Sequence, residues 1–409
     1  MIKILSERKL LLLLAAVQFT QIMDFMIMMP LGPQLMRQLA LTHKEFGSLI
    51  SSFAITAGIV GLAVAPFIDR FDRRKLLLTV YAGFTLGTLA CGFSRSWEML
   101  LISRAICGAF GGIGGATIMA IVADVVPPER RARGMATIMT AFSVAAALGV
   151  PFGLKLAQWG RWETPFLAVA GIAAVVWVAL YQFLPPVKGH LADGKVRSAR
   201  DFFQLLRDGN AWRGIILMMA VVFGHFTIIP LLSPFLVKNV GMAEVDLFHV
   251  YMVGGIVTVF SGPLIGRLAD RYGKFCLYTI LVIGACIVIR VLTASEARPE
   301  WQVLVIAGFF FMLASGRFIP SQAVISMAVQ PAQRGAYMSL IACSRDLASG
   351  ITTSIGGIVV VETASGKLVN YDKLGLVAIA VSIASLYLFR QVKPVTADSI
   401  RRHEGESLV

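Results

Sequence analysis

Long apolar runs separated by short polar stretches dominate the chain, and they are too long for the core of a soluble domain. Twelve such runs lie near residues 10-36, 44-68, 76-93, 98-124, 132-157, 163-184, 212-238, 245-268, 275-294, 301-326, 333-362 and 373-391. About 20 residues of helix rise roughly 30 Å, the thickness of a bilayer's hydrocarbon core, so each run predicts a membrane-spanning helix. The connections are short except Pro185 to Ala211, which is polar, carries both charge signs and begins with two prolines. That segment divides the chain into residues 1-184 and 212-409, six spans on either side, the second set followed by a polar tail. Within it, RSARDFFQLLRDG reads either as a short amphipathic surface helix, with Phe202, Phe203, Leu205 and Leu206 apolar, or as a plain connection.

Composition agrees with this pattern. The chain has 409 residues, 57% hydrophobic and 15% charged, and a mean hydropathy of +0.77, far from the balance of a soluble protein. A net charge of +14 raises the question of nucleic acid, but the bases sort by loop. With both termini inside, 24 of the 37 lysines and arginines fall on the cytoplasmic side, ten on the other side and three (Arg104, Arg317, Arg345) within spans. The positive-inside rule therefore orients the protein with a cytoplasmic linker and tail, and no nucleic-acid partner is expected. Five cysteines without CxxC spacing indicate neither a disulfide framework nor a zinc site. The basic residues ahead of the first run resemble a secretion signal, yet the run is long and has no convincing cleavage site, so it is read as a retained helix.

The chain also repeats. A shift of 201 lays FTQIMDFMIMMPLGPQL over AVVFGHFTIIPLLSPFL, placing Asp24 on His225 and Pro33 on Pro234. The same shift matches Asp69, Arg70 and Arg73 to Asp270, Arg271 and Lys274, Arg133-Gly134 to Arg334-Gly335, and Gly149 to Gly350. Six spans separate the copies, so they keep one orientation. The expected architecture is all-α: twelve transmembrane helices in two parallel six-helix repeats around a central cavity.

At these residues the chain resembles a major facilitator superfamily transporter over nearly its whole length. PFIDRFDRRK between spans 2 and 3, and IGRLADRYGK between spans 8 and 9, resemble the superfamily's loop signature and its weaker second copy. The first departs from the pattern where Ala65 and Asp72 replace the usual glycines. LLISRAICGAFGG resembles the arginine motif of helix 4, and AALGVPFG resembles an abbreviated antiporter motif carried by Gly149, Pro151 and Gly153. Among relatives the likeness is greatest to bacterial twelve-helix drug and sugar efflux proteins. It implies a multi-pass protein of the bacterial inner membrane, working as a monomer on a small molecule, with protons and the lipid bilayer as partners and no cofactor.

Several residues carry candidate chemistry. Asp24 in mid-span is costly to bury without a partner and marks a proton or substrate path. Arg104 lies at a depth within reach of it, so the two form a plausible pair, the alternative being an arginine that snorkels outward or bonds backbone carbonyls. Proton coupling is thus assigned to Asp24, Arg104 and His225. Substrate binding is assigned to Asp24, His225, Arg317, Gln322, Arg345 and Asp346, because the second half alone carries charge at Arg317 and Arg345-Asp346. The alternative for those charges is a buried structural pair between Arg317 and Asp346.

Resemblance implies a cytoplasmic latch of Asp69, Arg70, Arg73, Asp124, Asp270, Arg271 and Lys274, with Arg73 bridging to Asp124; the alternative is a cluster that only sets topology. Ile325 stands where the repeat would place a second acid, so the latch should be lopsided. Gly108, Gly112, Gly149 and Gly153 have the small-residue spacing of close helix packing, and the prolines of spans 1 and 7 predict breaks. Met23, Met26, Met28 and Met29 beside Asp24 suggest metal export more weakly, since methionine commonly fills apolar interiors. No catalytic constellation stands out, so no enzyme is expected. The favoured function is proton-coupled efflux by alternating access. The alternatives are uptake by symport or facilitation, and a transporter-like protein that senses or assembles without moving cargo.

Overall fold

The computed structural model describes residues 6–127, 130–187, 205, 207–330 and 333–395, with the side chains of residues 69 and 131–133 excluded. The amphipathic segment expected in the linker lies outside the described residues except for 205 and 207–209, and the tail beyond residue 395 lies wholly outside them. Twelve spans cross the molecule. Spans 1 to 6 comprise Glu7–Ile27 continued by Gly32–Gln38, His43–Val64, Arg73–Phe93, Trp97–Val125, Arg131–Val144 continued by Val150–Trp159, and Thr164–Phe183. Spans 7 to 12 comprise Gly209–Phe226 continued by Ile229–Phe235, Leu247–Tyr272, Lys274–Thr293, Glu300–Gly316 continued by Phe318–Ser326, Arg334–Val359, and Tyr371–Gln391.

Eleven spans are long and apolar enough to cross a membrane by length and composition alone. The twelfth, span 11, is as long at 26 residues but more polar, carrying Arg345, Asp346 and several hydroxyl residues. Its apolar run was expected to continue to residue 362; instead Val361–Glu362 (β1) pairs antiparallel with Leu368–Val369 (β2), a small hairpin closing the loop before span 12. Large apolar side chains such as Leu86, Val175 and Phe260 point outward, as helix faces must when the surrounding solvent is hydrocarbon.

An even number of crossings puts both termini at one end of the bundle, here the terminal end; the opposite is the far end. Among the described residues, four spans start with a side-chain cap, namely spans 2, 3, 4 and 7. Thr42 and Glu45 form a reciprocal capping box, Ser96 accepts from Met99 N, and Asp72 accepts from Arg74 N at 2.9 Å. Prolines set the interruptions. Span 1 breaks across residues 28–31 at Pro30, and span 7 breaks before Ile229 with Pro230 in the following turn. Span 10 breaks at Arg317, where Pro320 has no N–H to give the carbonyl of Gly316. That third break was not foreseen.

The two loop copies that align in sequence differ in conformation. Gly273, between spans 8 and 9, has φ +90, whereas its match Asp72 has φ −57 and spends its side chain on the cap of span 3. A glycine is required in the second loop and not in the first, which accounts for the departure at Asp72.

The halves meet along spans 2 and 11 and along spans 5 and 8. Gly47 faces Gly357, and the position of Gly61 faces Cys343. At the far end Arg37 pairs with Glu244, Gln158 Nε2 donates to Val245 O at 3.0 Å, and Glu362 lies between His43 of one half and Lys238 of the other. This end of the interface is closed by chemistry as well as packing.

Within the first half, a Cβ at Gly108 or Gly112 would collide with the carbonyl oxygens of Phe53 and Ala57, so span 4 lies directly against the backbone of span 2. Gly108→Ala and Gly112→Ala are therefore expected to destabilise the protein by about 1–3 kcal/mol each, as overpacking does. Gly171→Ala, facing open space, should be neutral or slightly stabilising. Thermal unfolding in detergent checks the contrast, and equal melting temperatures for all three variants would contradict it.

Candidate functional site

Among the described residues two arginines are wholly buried, one in each half. In the first half Arg104 of span 4 and Asp24 of span 1 are both 0% exposed. Arg104 Nη1 donates to Asp24 Oδ2 at 2.6 Å and to the Asp24 carbonyl at 3.2 Å. The sequence placed these residues at similar depth, and the fold brings them into a charge-assisted bond. Arg104 also lies over the ring of Phe53, 4.6 Å from its centroid. The pair is not saturated: Asp24 Oδ1 and Arg104 Nε and Nη2 have no partner.

Arg317, at the break in span 10, is likewise 0% exposed. Its Nη1 donates to Ser382 Oγ of span 12 at 2.6 Å and its Nε to the Ala314 carbonyl at 3.3 Å, while Nη2 has no partner. Among the described residues it makes no ion pair, and the alternative of a structural pair with Asp346 is overturned: Asp346 Oδ1 instead accepts from Arg345 Nε at 3.1 Å. Arg345 is 50% exposed along its side chain and Gln322 is exposed, so neither joins Arg317, although all three were assigned to one site. Adjacent helical residues diverge by about 100°, which turns Gln322 away while Ser321 stays in, its hydroxyl donating to Arg317 O at 2.8 Å.

His225, matched to Asp24 by the repeat, is enclosed by rings. It stacks on Phe310 at 5.8 Å between centroids and meets Phe226 and Phe318 edge-on at 5.5 and 5.6 Å. Phe226 continues across the interface to Phe25 at 6.0 Å, and Phe25 to Phe53 at 5.2 Å. A run of aromatic contacts thus joins the Asp24-Arg104 pair to the His225-Arg317 region, closing the middle of the interface. Sequence reading missed these phenylalanines and Ser382, because one apolar or hydroxyl residue in a span looks like any other until the helices are placed.

Around this core the remaining assigned residues fall in two groups. Gly149, Pro151 and Gly153 lie in span 5 at and after a wide π turn, Ala145–Gly149. A Cβ at Gly149 would lie 3.3 Å from Met23 Sδ, and one at Gly153 would collide with Ile27, so this segment presses on span 1 beside Asp24. At the terminal end Arg73 Nε lies 3.1 Å from Asp124 Oδ2 and its Nη1 donates to Ile68 O at 2.9 Å. Arg70 is exposed over the Phe67 ring, and the Asp69 side chain lies outside the described residues. In the second copy Asp270 and Arg271 are exposed and Lys274 half-buried, and among the described residues none of the three forms an ion pair. The two loops differ in this respect, the first pairing with the end of span 4 while Ile325 occupies the position matched to Asp124.

Comparison with known proteins places this geometry in context. The sequence model described as Major Facilitator Superfamily matches residues 14–352. The chain is 24% identical over 346 residues to the uncharacterized MFS-type transporter YceJ of Bacillus subtilis, covering 83% of this chain and 86% of that protein. It is 25% identical over 296 residues to the purine ribonucleoside efflux pump NepI of Shigella sonnei, covering 71% and 73%. Among solved structures it resembles a D-xylose-proton symporter with a TM-score of 0.75 at 17% identity, covering 94% and 97%.

The buried pair makes a stability prediction. Asp24→Asn leaves Arg104 charged and unopposed in the bundle, which is expected to cost about 3–5 kcal/mol. Adding Arg104→Gln removes the stranded charge, so the double variant should regain most of the loss. Melting curves of the three proteins check this; a single variant as stable as the parent would mean that the two groups are not held as an ion pair.

Proposed function

The chain belongs to the major facilitator superfamily, and from that premise we propose that it exports a small organic molecule across the bacterial inner membrane in exchange for protons, by alternating access. It is a multi-pass membrane transporter; the direction, the coupling ion and the residue roles are this reading. The observation that carries it is the Asp24-Arg104 pair, an acid and a base that meet inside the bundle with both side chains fully buried. Protonation of Asp24 replaces an ion pair by a neutral acid and releases Arg104 from its counter-charge. The two protonation states therefore favour different arrangements of spans 1 and 4, and differential stability of that kind is what couples a proton to a conformational equilibrium.

Two further features support export. The glycines of span 5 seat that helix on span 1 next to Asp24, so a change at the pair reaches the interface with span 8 through direct packing. The named efflux pump among the relatives is consistent with the same direction. In this reading the terminal end is cytoplasmic, as the distribution of lysine and arginine indicates, and the far-end contacts of Arg37, Gln158 and Glu362 form an outer gate that is shut. Asp69, Arg70 and the Arg73-Asp124 bridge, with Asp270, Arg271 and Lys274, form the cytoplasmic latch, whose bridge is made here together with the shut outer gate. Uptake by symport is the second reading, favoured by the fold it shares with the xylose symporter.

In everted membrane vesicles, a pH gradient acid inside should drive accumulation of the exported compound. Asp24→Asn with Arg104→Gln, the variant expected to fold, should abolish gradient-driven accumulation while keeping equilibrium exchange; full gradient-driven transport by that variant rules the reading out. For the latch, Asp124→Asn should shift the population toward the cytoplasm-open state, raising the accessibility of cysteines placed along the cytoplasmic half of span 5. Unchanged labelling would reduce the bridge to a local contact.

A further inference from the structure

The two halves solve the same electrostatic problem differently. Each buries one arginine completely. In the first half the counter-charge is part of the protein, Asp24. In the second, the position matched to Asp24 is His225, and the groups around Arg317 are neutral hydroxyls. Ser382 accepts from it, Ser321 sits one turn on, and Tyr278 is engaged with Ser385 at 2.6 Å. A guanidinium withdrawn from water into such surroundings is strongly disfavoured until an anion reaches it.

The shape of the site points the same way. A Cβ at Gly224 would sit 2.5 Å from Ser382 Oγ and 3.3 Å from Arg317 Nη1, so the guanidinium head lies against bare backbone of span 7, next to His225. His225 follows Gly224 directly in span 7, and its Nδ1 also has no partner. Two unpartnered nitrogens, Arg317 Nη2 and His225 Nδ1, therefore belong to a guanidinium packed on Gly224 and to the residue that follows it, which the rings of Phe226, Phe310 and Phe318 surround. One positive charge with hydroxyl neighbours suits a compact, singly charged anion, since a second negative charge would be left unmatched. The rings beside it suit a flat apolar body.

We propose that Arg317 and His225 form a binding site for a monoanionic group, supplied either by the carboxylate of a transported aromatic acid or by a free halide. The acid oxygen accepts from Arg317 Nη2, and His225 acts as a second, uncharged donor from Nδ1 in the tautomer that carries its proton there. The cargo half of the proposal rests on the transport reading above. The anion site itself does not.

The test uses the purified full chain in detergent, with sulfate as the only background anion, and reads melting temperature against benzoate, benzamide and chloride. Benzoate is expected to raise the melting temperature with increasing concentration, and benzamide, its uncharged counterpart, to have no effect. Arg317→Gln should shift the benzoate dependence at least tenfold to higher concentration. Protection by chloride alone assigns the site to a free halide, and protection by benzoate that survives saturating chloride assigns it to a carboxylate with an aromatic body; either upholds a monoanion site. Equal protection by benzamide, no protection by either anion, or the same benzoate dependence in Arg317→Gln overturns it. Should Arg317→Gln fail to fold, Arg317→Lys retains the charge without the planar fork and is expected to bind at least threefold more weakly; an unchanged dependence overturns the proposal. These measurements need no proton gradient. A failed anion site leaves proton exchange standing for uncharged cargo, and a failed proton assay leaves the anion site standing.

Discussion

Charge buried in hydrocarbon must be matched within the protein or by something the protein binds, and this constraint organises the interior of the bundle. Water stabilises a guanidinium by an amount that no single neutral hydrogen bond replaces, so each buried arginine dictates what its neighbours are. Around Arg104 that requirement selects Asp24, fixes the depth of span 1 against span 4, and tolerates glycine alone where span 4 crosses span 2, because any side chain at Gly108 would collide with the Phe53 carbonyl. Around Arg317 it selects Ser382 and a glycine at 224, which let the head group in without neutralising it. The packing of both bundles is legible as a response to one charge apiece.

The backbone is a repeat and the chemistry is not. The 201-residue shift carries prolines, loop arginines and helix-packing glycines faithfully, because those positions bend, orient or close the scaffold, and both halves need the same scaffold. It does not carry the charges: Asp24 becomes His225, Asp124 becomes Ile325, and Arg317 falls opposite Ala116. A protein of two identical halves would place identical groups on either side of the interface and could bias neither. Division of labour between a half that holds its own counter-ion and a half that does not gives the two faces of the interface different affinities.

Much of this was readable in the sequence, and what was not has a physical reason. Span number, the two-half division of the scaffold and the depth match of Asp24 with Arg104 follow from hydropathy, the repeat and the rise per residue. The break at Arg317 was missed because one proline, Pro320, looked unremarkable at the end of an apolar run, although its effect falls three residues earlier on the chain. The proposed link of Arg317 with Asp346 failed for want of rotation: Asp346 has a nearer partner in Arg345, and sequence alone does not say which way a helix is turned. The aromatic run from Phe53 through Phe25 and Phe226 to His225 was invisible for a similar reason, since it is assembled from three separate spans.

That aromatic run also bears on how the halves communicate. Phe25 is the residue after Asp24, and Phe226 the residue after His225, so the rings that touch across the interface are chained to the two groups the repeat superposes. A displacement of span 1 that follows any change at Asp24 must move Phe25, and Phe25 cannot move without sliding against Phe226, because the rings are in contact at 6.0 Å. Close-packed interiors respond to such displacements by switching between discrete arrangements rather than by deforming smoothly. Here the switching element would be the ring pair itself. It separates a half that is electrically complete from one that still has a charge to satisfy, so the state of either half is felt by the other through packing, with no need for the charges to meet.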